Sequence, residues 1–231
     1  MLVLNKVCFS YDNTQILKDI SLEIDQGFTL IVGANGEGKS TLLKLISGLI
    51  KVDRGDIQYK GASLLSMKPH TIVDMGIVHV PERSRIFPKL TVKQNLELGA
   101  YCRKDKNAIE EDYNYICDLM PRLRERKSQY GGTLSGGERQ MLAIARGYMS
   151  EPAVFLVDEP TLGLAPLMVE TIKEILRKIN SEKGVPILIM EENLDAVSDL
   201  ADRFCLLRYG ELKSMDSYEE TLENIRLHLV R

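Results

Sequence analysis

Residues 33–41 read Gly-Ala-Asn-Gly-Glu-Gly-Lys-Ser-Thr, between the apolar run FTLIV and the helical spacing of Leu42, Leu45, Ile46 and Leu49. The segment fits G-x-x-x-x-G-K-[ST], a pattern that carries weight where a strand ends and a helix begins. Its glycines let successive backbone N–H groups converge on one anion, and the first turn of the next helix adds unpaired N–H groups and positive potential. The segment therefore predicts a phosphate cradle built from Gly33, Asn35, Gly36, Gly38 and Thr41. Lys39 is placed to reach the β- and γ-phosphates of a nucleotide such as ATP, and Ser40 to ligate Mg2+. Such a loop needs a strand, a tight turn and a helix in immediate succession, here with Gly48 near the helix end.

The rest of the chain repeats that alternation. LVLNKVCF, ISLEI and FTLIVG read as strands separated by the turn-like YDNTQ and DQG, and RGDIQYKGASL reads as a turn and strand. GIVHVPE (76–82) is a compact strand stopping at Pro81. AVFLVDE (153–159) and PILIM (186–190) suit strands buried on both faces, with the helix VETIKEILRKIN between them. From about 88 to 148 the pattern is helical, which predicts a helical insertion. Strands alternating with helices imply a doubly wound, mostly parallel α/β sheet. With 231 residues the whole chain, 1–231, is expected to be one domain.

AVFLVDE ends in two carboxylates whose roles should differ, because side chains alternate along a strand. Asp158 would hold Mg2+, directly or through water, and Glu159 would polarise an attacking water as general base. Leu134-Ser135-Gly136-Gly137-Glu138-Arg139-Gln140 precedes an amphipathic helix. Ser135, Gly136 and Gly137 would present a second anion-binding helix start. Read for structure alone, the same residues are an N-cap with a glutamate at the right spacing for a capping box. One site does not need two such devices on one chain.

With the phosphate loop, LSGGE and VDE in that order, the chain resembles the ABC ATPases. The resemblance implies a RecA-like P-loop fold with an N-terminal antiparallel β portion and a helical subdomain. It also implies that the signature of one protomer closes over ATP held by another. Tyr11, in the loop after the first strand, matches the residue that stacks on adenine, and Thr161-Leu162-Gly163-Leu164-Ala165 matches the dimer-contact loop. Two positions depart from the usual pattern: Glu82 replaces a glutamine that senses Mg2+, and Glu192 replaces a switch histidine. VPE, IFPKLTV, NLELGAY, TLGLAP and the E-x-N after the last strand are similar to the ATP-binding subunits of branched-chain amino acid importers. There the switch position is usually glutamine, so Glu192 departs even from the subfamily. Glu192, and Glu37 inside the phosphate loop, would repel phosphate unless paired, protonated or turned away.

The resemblance implies as partners a second ATPase protomer, an integral membrane permease and, indirectly, an extracytoplasmic solute-binding protein. Arg83, Arg85, Phe87 and Pro88 are the candidates for permease contact. The implied location is cytoplasmic, peripheral on the inner face of the cell membrane. A net charge of −3 and no block of Lys and Arg give no argument for a nucleic-acid partner. Cys8, Cys102, Cys117 and Cys205 are spaced like neither a zinc site nor a disulfide scaffold, and they read as reduced thiols, mostly packed. His70, His79 and His228 do not read as a metal site, and His79 belongs in or beside its strand. The N-terminal MLVLNKVCFSYDN does not read as a secretion signal, and no apolar run reaches the roughly 20 residues that span a bilayer. Two other readings remain at this stage: a soluble ABC ATPase acting on ribosomes or DNA, and a regulatory subunit with weak activity.

Overall fold

The computed structural model describes residues 1–226, and His228 lies outside them. The chain opens with the hairpin β1 (Leu2–Tyr11) and β2 (Thr14–Ile24), followed by β3 (Phe28–Val32) and α1 (Lys39–Ile46). Next come β4 (Arg54–Tyr59), β5 (Ala62–Ser63), α2 (Pro69–Asp74) and β6 (Ile77–Val80). The middle of the chain is helical: α3 (Val92–Gly99), α4 (Lys106–Leu119), α5 (Pro121–Glu125) and α6 (Gly136–Tyr148). It closes with β7 (Val154–Asp158), α7 (Pro166–Lys183), β8 (Ile187–Glu191), α8 (Leu194–Val197), β9 (Arg203–Arg208), β10 (Glu211–Met215) and α9 (Tyr218–Arg226).

Two sheets result. β2-β1-β4-β5 is antiparallel, while β10-β9-β3-β8-β7-β6 is parallel except for the β9–β10 hairpin. Alternation along the parallel strands sorts side chains into two cores. Phe28, Leu30 and Val32 of β3, Phe155 and Val157 of β7, and Ile187 and Ile189 of β8 pack on the side of α6 and α7. Ile31, Val154, Leu156, Leu188 and Met190 face α1 and the antiparallel sheet. Each fully buried Leu, Ile or Phe adds about 1.5–3 kcal/mol relative to exposure, so both faces of the sheet are fixed. α6 sits close on β7 because Gly147 has no side chain; a Cβ there would meet Phe155 and Val80 at 2.8 Å.

Local departures have local causes. α1 stops at Ile46 because Gly48 takes φ +66°, so Leu49 leaves the helix and is 57% exposed. Tyr11 belongs to β1, paired with Thr14, rather than to a loop after it.

His79 lies in β6, with Nδ1 3.1 Å from the Ser47 hydroxyl and Nε2 without a partner among the described residues. Burial, reinforced by the charges of Lys44 and Arg85, pushes its pKa from 6.5 down to about 4. The unfolded chain takes up this proton near 6.5 while the folded chain resists it. The stability this group contributes is therefore complete above 6.5 and drains as pH falls toward 4. His79→Phe is expected to shrink the drop in melting temperature between neutral pH and about pH 4.5 by roughly 5 °C. Equal drops in the two proteins would exclude His79 as a source of acid sensitivity.

Candidate active site

β3, β8, β7 and β6 lie side by side in that order, and four loops leave their C-terminal ends. That edge is where open α/β sheets bind ligands. Sequence motifs 120 or so residues apart thereby meet, since β8 alone separates the strand of the phosphate loop from the strand of Asp158.

The loop after β3 has the shape its glycines dictate. Gly36 and Gly38 take φ +88° and +101°, a region that glycine enters without steric cost. No atom lies within 4 Å of a Cβ built at Gly36, so the loop opens outward there. Gly38 is the N-cap of α1 and no side chain caps that helix, so its first-turn N–H groups are available to an anion. Thr41 is buried within α1.

Lys39 is 4% exposed and its Nζ donates to Gly33 O at 2.7 Å and Ala34 O at 3.2 Å. The same ammonium lies 3.1 Å from Oε1 of Glu159. Asp158 ends β7, and its Oδ1 is buried with no partner among the described residues. Burial raises the Asp158 pKa, and the charges of Glu159 and Glu82 push the same way; the nearby Ser40 hydroxyl and Lys39 oppose them. Glu159 lies just beyond the strand at φ +45°. Asp158 and Glu159 thus differ because the chain turns between them, not because they alternate on one strand, and both are buried.

The three unusual carboxylates have partners. Glu37 turns away from the loop and accepts the Tyr209 N–H in the β9–β10 turn. Glu192 accepts from Asn35 Nδ2 at 2.7 Å. Glu82 pairs with Arg83 Nε at 2.9 Å, at the start of three residues with positive φ, Arg83, Ser84 and Arg85. Ser84 Oγ donates to Gln140 Oε1 at 2.7 Å, tying this loop to α6.

Ser135 caps α6 through a capping box: its Oγ accepts the Glu138 N–H at 3.3 Å and Glu138 accepts the Ser135 N–H at 2.9 Å. Burial raises the Glu138 pKa, but these bonds and Arg126, 3.0 Å away, outweigh it and leave it lowered. The Ser135 hydroxyl donates to no acceptor among the described residues, and the space beside Gly136 is open. Gly137 is covered by Met168 of α7, whereas the phosphate loop borders Ile16, Leu17 and Tyr209. The two anion-binding devices thus have separate surroundings. Tyr11 is 45% exposed and edge-on to Phe9 at 4.7 Å.

Glu191, which the sequence reading passed over in favour of its neighbour, belongs to this edge too. It is 3% exposed, and its Oε1 accepts from Thr161 N at 3.0 Å and Thr161 Oγ1 at 2.6 Å. The available signal was that Glu191 ends an apolar run just as Asp158 does.

The ABC transporter family profile matches residues 17–162, spanning the phosphate loop, the signature and the VDE strand. The chain belongs to the ABC transporter family. It is 40% identical over 225 residues to the high-affinity branched-chain amino acid transport ATP-binding protein BraG of Pseudomonas aeruginosa, covering 97% of this chain and 96% of that protein. A probable branched-chain amino acid transport ATP-binding protein LivF of Archaeoglobus fulgidus is 36% identical, covering 95% and 93%. Among solved structures, the ADP conformation of an ATP-binding cassette of an ABC transporter superposes with TM-score 0.87 at 25% identity, covering 100% of this chain and 96% of that one. The chain is an ABC ATPase, with the mixed α/β architecture of the cassette: it binds and hydrolyses ATP. Among its described helices none is long and apolar enough to cross a membrane.

Proposed function

We propose that this cassette powers import of branched-chain amino acids or related small solutes through a separate permease, working as a dimer on the inner face of the membrane. The observation that carries the catalytic part is the convergence of Lys39, Glu159 and Asp158 at one sheet edge, with Lys39 and Glu159 3.1 Å apart. Near-full-length similarity to BraG and LivF supports the solute class.

In this reading Tyr11 stacks on adenine, and Gly33, Asn35, Gly36, Gly38 and Thr41 shape the phosphate cradle. Lys39 exchanges Glu159 for phosphate oxygens, which frees Glu159 to orient and deprotonate water. Mg2+ fits the donor set, because the buried Oδ1 of Asp158 has no partner among the described residues and the Ser40 hydroxyl is beside it. Bound there, Mg2+ supplies positive charge to the β- and γ-phosphates. Ser135, Gly136 and Gly137 serve the site of the second protomer, which gives the free Ser135 hydroxyl and open Gly136 a ligand. Glu82 and Glu192 border the site, and Glu192 is held by a hydrogen bond from Asn35 Nδ2 rather than aimed unpaired at phosphate.

A cavity of about 620 Å3 starts at Ser40, Glu82 and Asp158 of the site, and its remaining lining includes Lys44, Leu49, Arg85, Phe87, Tyr101 and Arg146. Arg146 lies over the Phe87 ring at 5.2 Å, and Tyr101 is 81% exposed. This surface suits a permease segment with apolar and acidic residues. Of the four sequence candidates, Arg85 and Phe87 line it, Arg83 pairs with Glu82, and Pro88 packs toward Gly132.

Tagged cassette expressed in its own host and purified from detergent-solubilised membranes is expected to bring down a permease. ATPase activity of that complex should rise several-fold when a solute-binding protein loaded with leucine is added. Co-purification with ribosomes would move the protein to a non-transport role, and a permease complex indifferent to leucine, isoleucine and valine would reject the solute assignment.

A further inference from the structure

β8 ends at the centre of the site, and its last two residues bond to the phosphate loop and to two points of the turn after β7. Gly33 N, at the start of the phosphate loop, donates to Glu191 O at 3.2 Å. Glu159 N donates to Met190 O at 2.9 Å. Thr161, two residues beyond Glu159, gives both its N–H and its hydroxyl to one oxygen of the Glu191 side chain, at 3.0 and 2.6 Å.

Glu159 stands at φ +45°, a conformation that costs a non-glycine residue of order 1–2 kcal/mol and persists only when its surroundings impose it. The Met190 carbonyl fixes the Glu159 N–H, and the Glu191 carboxylate fixes the chain immediately beyond, so β8 holds this turn from both sides. Glu191 is expensive to keep charged where it lies. Burial raises its pKa and Glu159 adds to the rise, while the two Thr161 bonds oppose it. A carboxyl group kept there points to the value of its two bonds to Thr161, since a buried polar group left without a partner is costly.

We propose that Glu191 is the positioning residue for Glu159: by clamping Thr161 with one buried carboxylate oxygen, it holds the left-handed turn that aims Glu159 at the reacting water. The inference rests on the reading of Glu159 as general base. It also gives the Thr161–Ala165 segment a mechanical link to the phosphate loop, because the side chain of Glu191 holds the one and its carbonyl holds the other. Movement of Thr161 when a second protomer docks would then be transmitted to the phosphate loop through a single residue.

Glu191→Ala, Glu191→Gln, Thr161→Val and Glu159→Gln are assayed in the intact protein, with ATP affinity, kcat, KM and melting temperature read for each. Glu191→Ala is expected to lower kcat at least tenfold with ATP affinity within about twofold of native. Glu191→Gln keeps an acceptor of the same reach and should recover most of kcat. Thr161→Val keeps the N–H but loses the hydroxyl bond, and should fall between native and Glu191→Ala; it stands in if Glu191→Ala does not fold. If Glu191→Ala or Thr161→Val keeps native kcat while Glu159→Gln abolishes turnover, the positioning role is wrong and the base assignment stands. Equal loss in Glu191→Ala and Glu191→Gln, with melting temperature lowered alike, would reduce Glu191 to a structural residue. If Glu159→Gln itself keeps native turnover, the base assignment on which the inference rests has failed.

Discussion

Glu159→Gln is expected to halt ATP turnover while leaving ATP binding intact or tighter. The amide matches the carboxylate in size and still accepts a hydrogen bond, so the turn at residue 159 is preserved. What it loses is the capacity to take a proton from water, a contribution of about 100- to 10,000-fold in rate. It also loses the charge that holds Lys39 Nζ at 3.1 Å. ATP then no longer competes with that carboxylate for the ammonium, and affinity should stay level or rise. Phosphate release under single-turnover conditions, beside a nucleotide-binding titration, separates the two effects. Release within a few-fold of native would remove Glu159 from the chemistry.

How much of this could be read from the chain depends on whether one segment or several made the feature. The phosphate loop was legible because Gly36, Gly38, Lys39 and Ser40 act within a few bonds of each other, and their spacing encodes the backbone shape directly. The strands around Phe155 and Ile187 were legible because burial on both faces leaves uninterrupted apolar runs. By contrast, the β9–β10 hairpin carries the charged stretch Glu211–Met215 at a sheet edge, and no simple period marked it. Glu37 looked like a misplaced charge because its partner, the Tyr209 N–H, lies 172 residues away. Glu192 and Asn35 are 157 residues apart, and Glu191 and Thr161 are 30 apart, so neither pairing leaves a local signature. The same distance effect explains why Asp158 and Glu159 were legible as a pair while the turn between them was not: φ +45° is imposed by β8, which contributes nothing to the sequence around them.

Lys39→Ala should damage the protein twice, and the two losses can be told apart. Nucleotide affinity is expected to fall about 100-fold, because the ammonium is a side-chain cation held at the loop by Gly33 O and Ala34 O. Stability measured without added nucleotide should fall as well. Glu159 is 6% exposed and would keep its buried charge without a counter-ion, and breaking a buried pair from one side costs about 3–5 kcal/mol. Adding Glu159→Gln to Lys39→Ala removes that stranded charge, so the double variant should melt several degrees above Lys39→Ala while binding ATP no better. That non-additivity in stability would mark Lys39 as the counter-ion of Glu159. If the double variant is no more stable than Lys39→Ala, Glu159 does not depend on Lys39 in the resting protein, and the exchange of Glu159 for phosphate oxygens is not the step that opens the site to ATP.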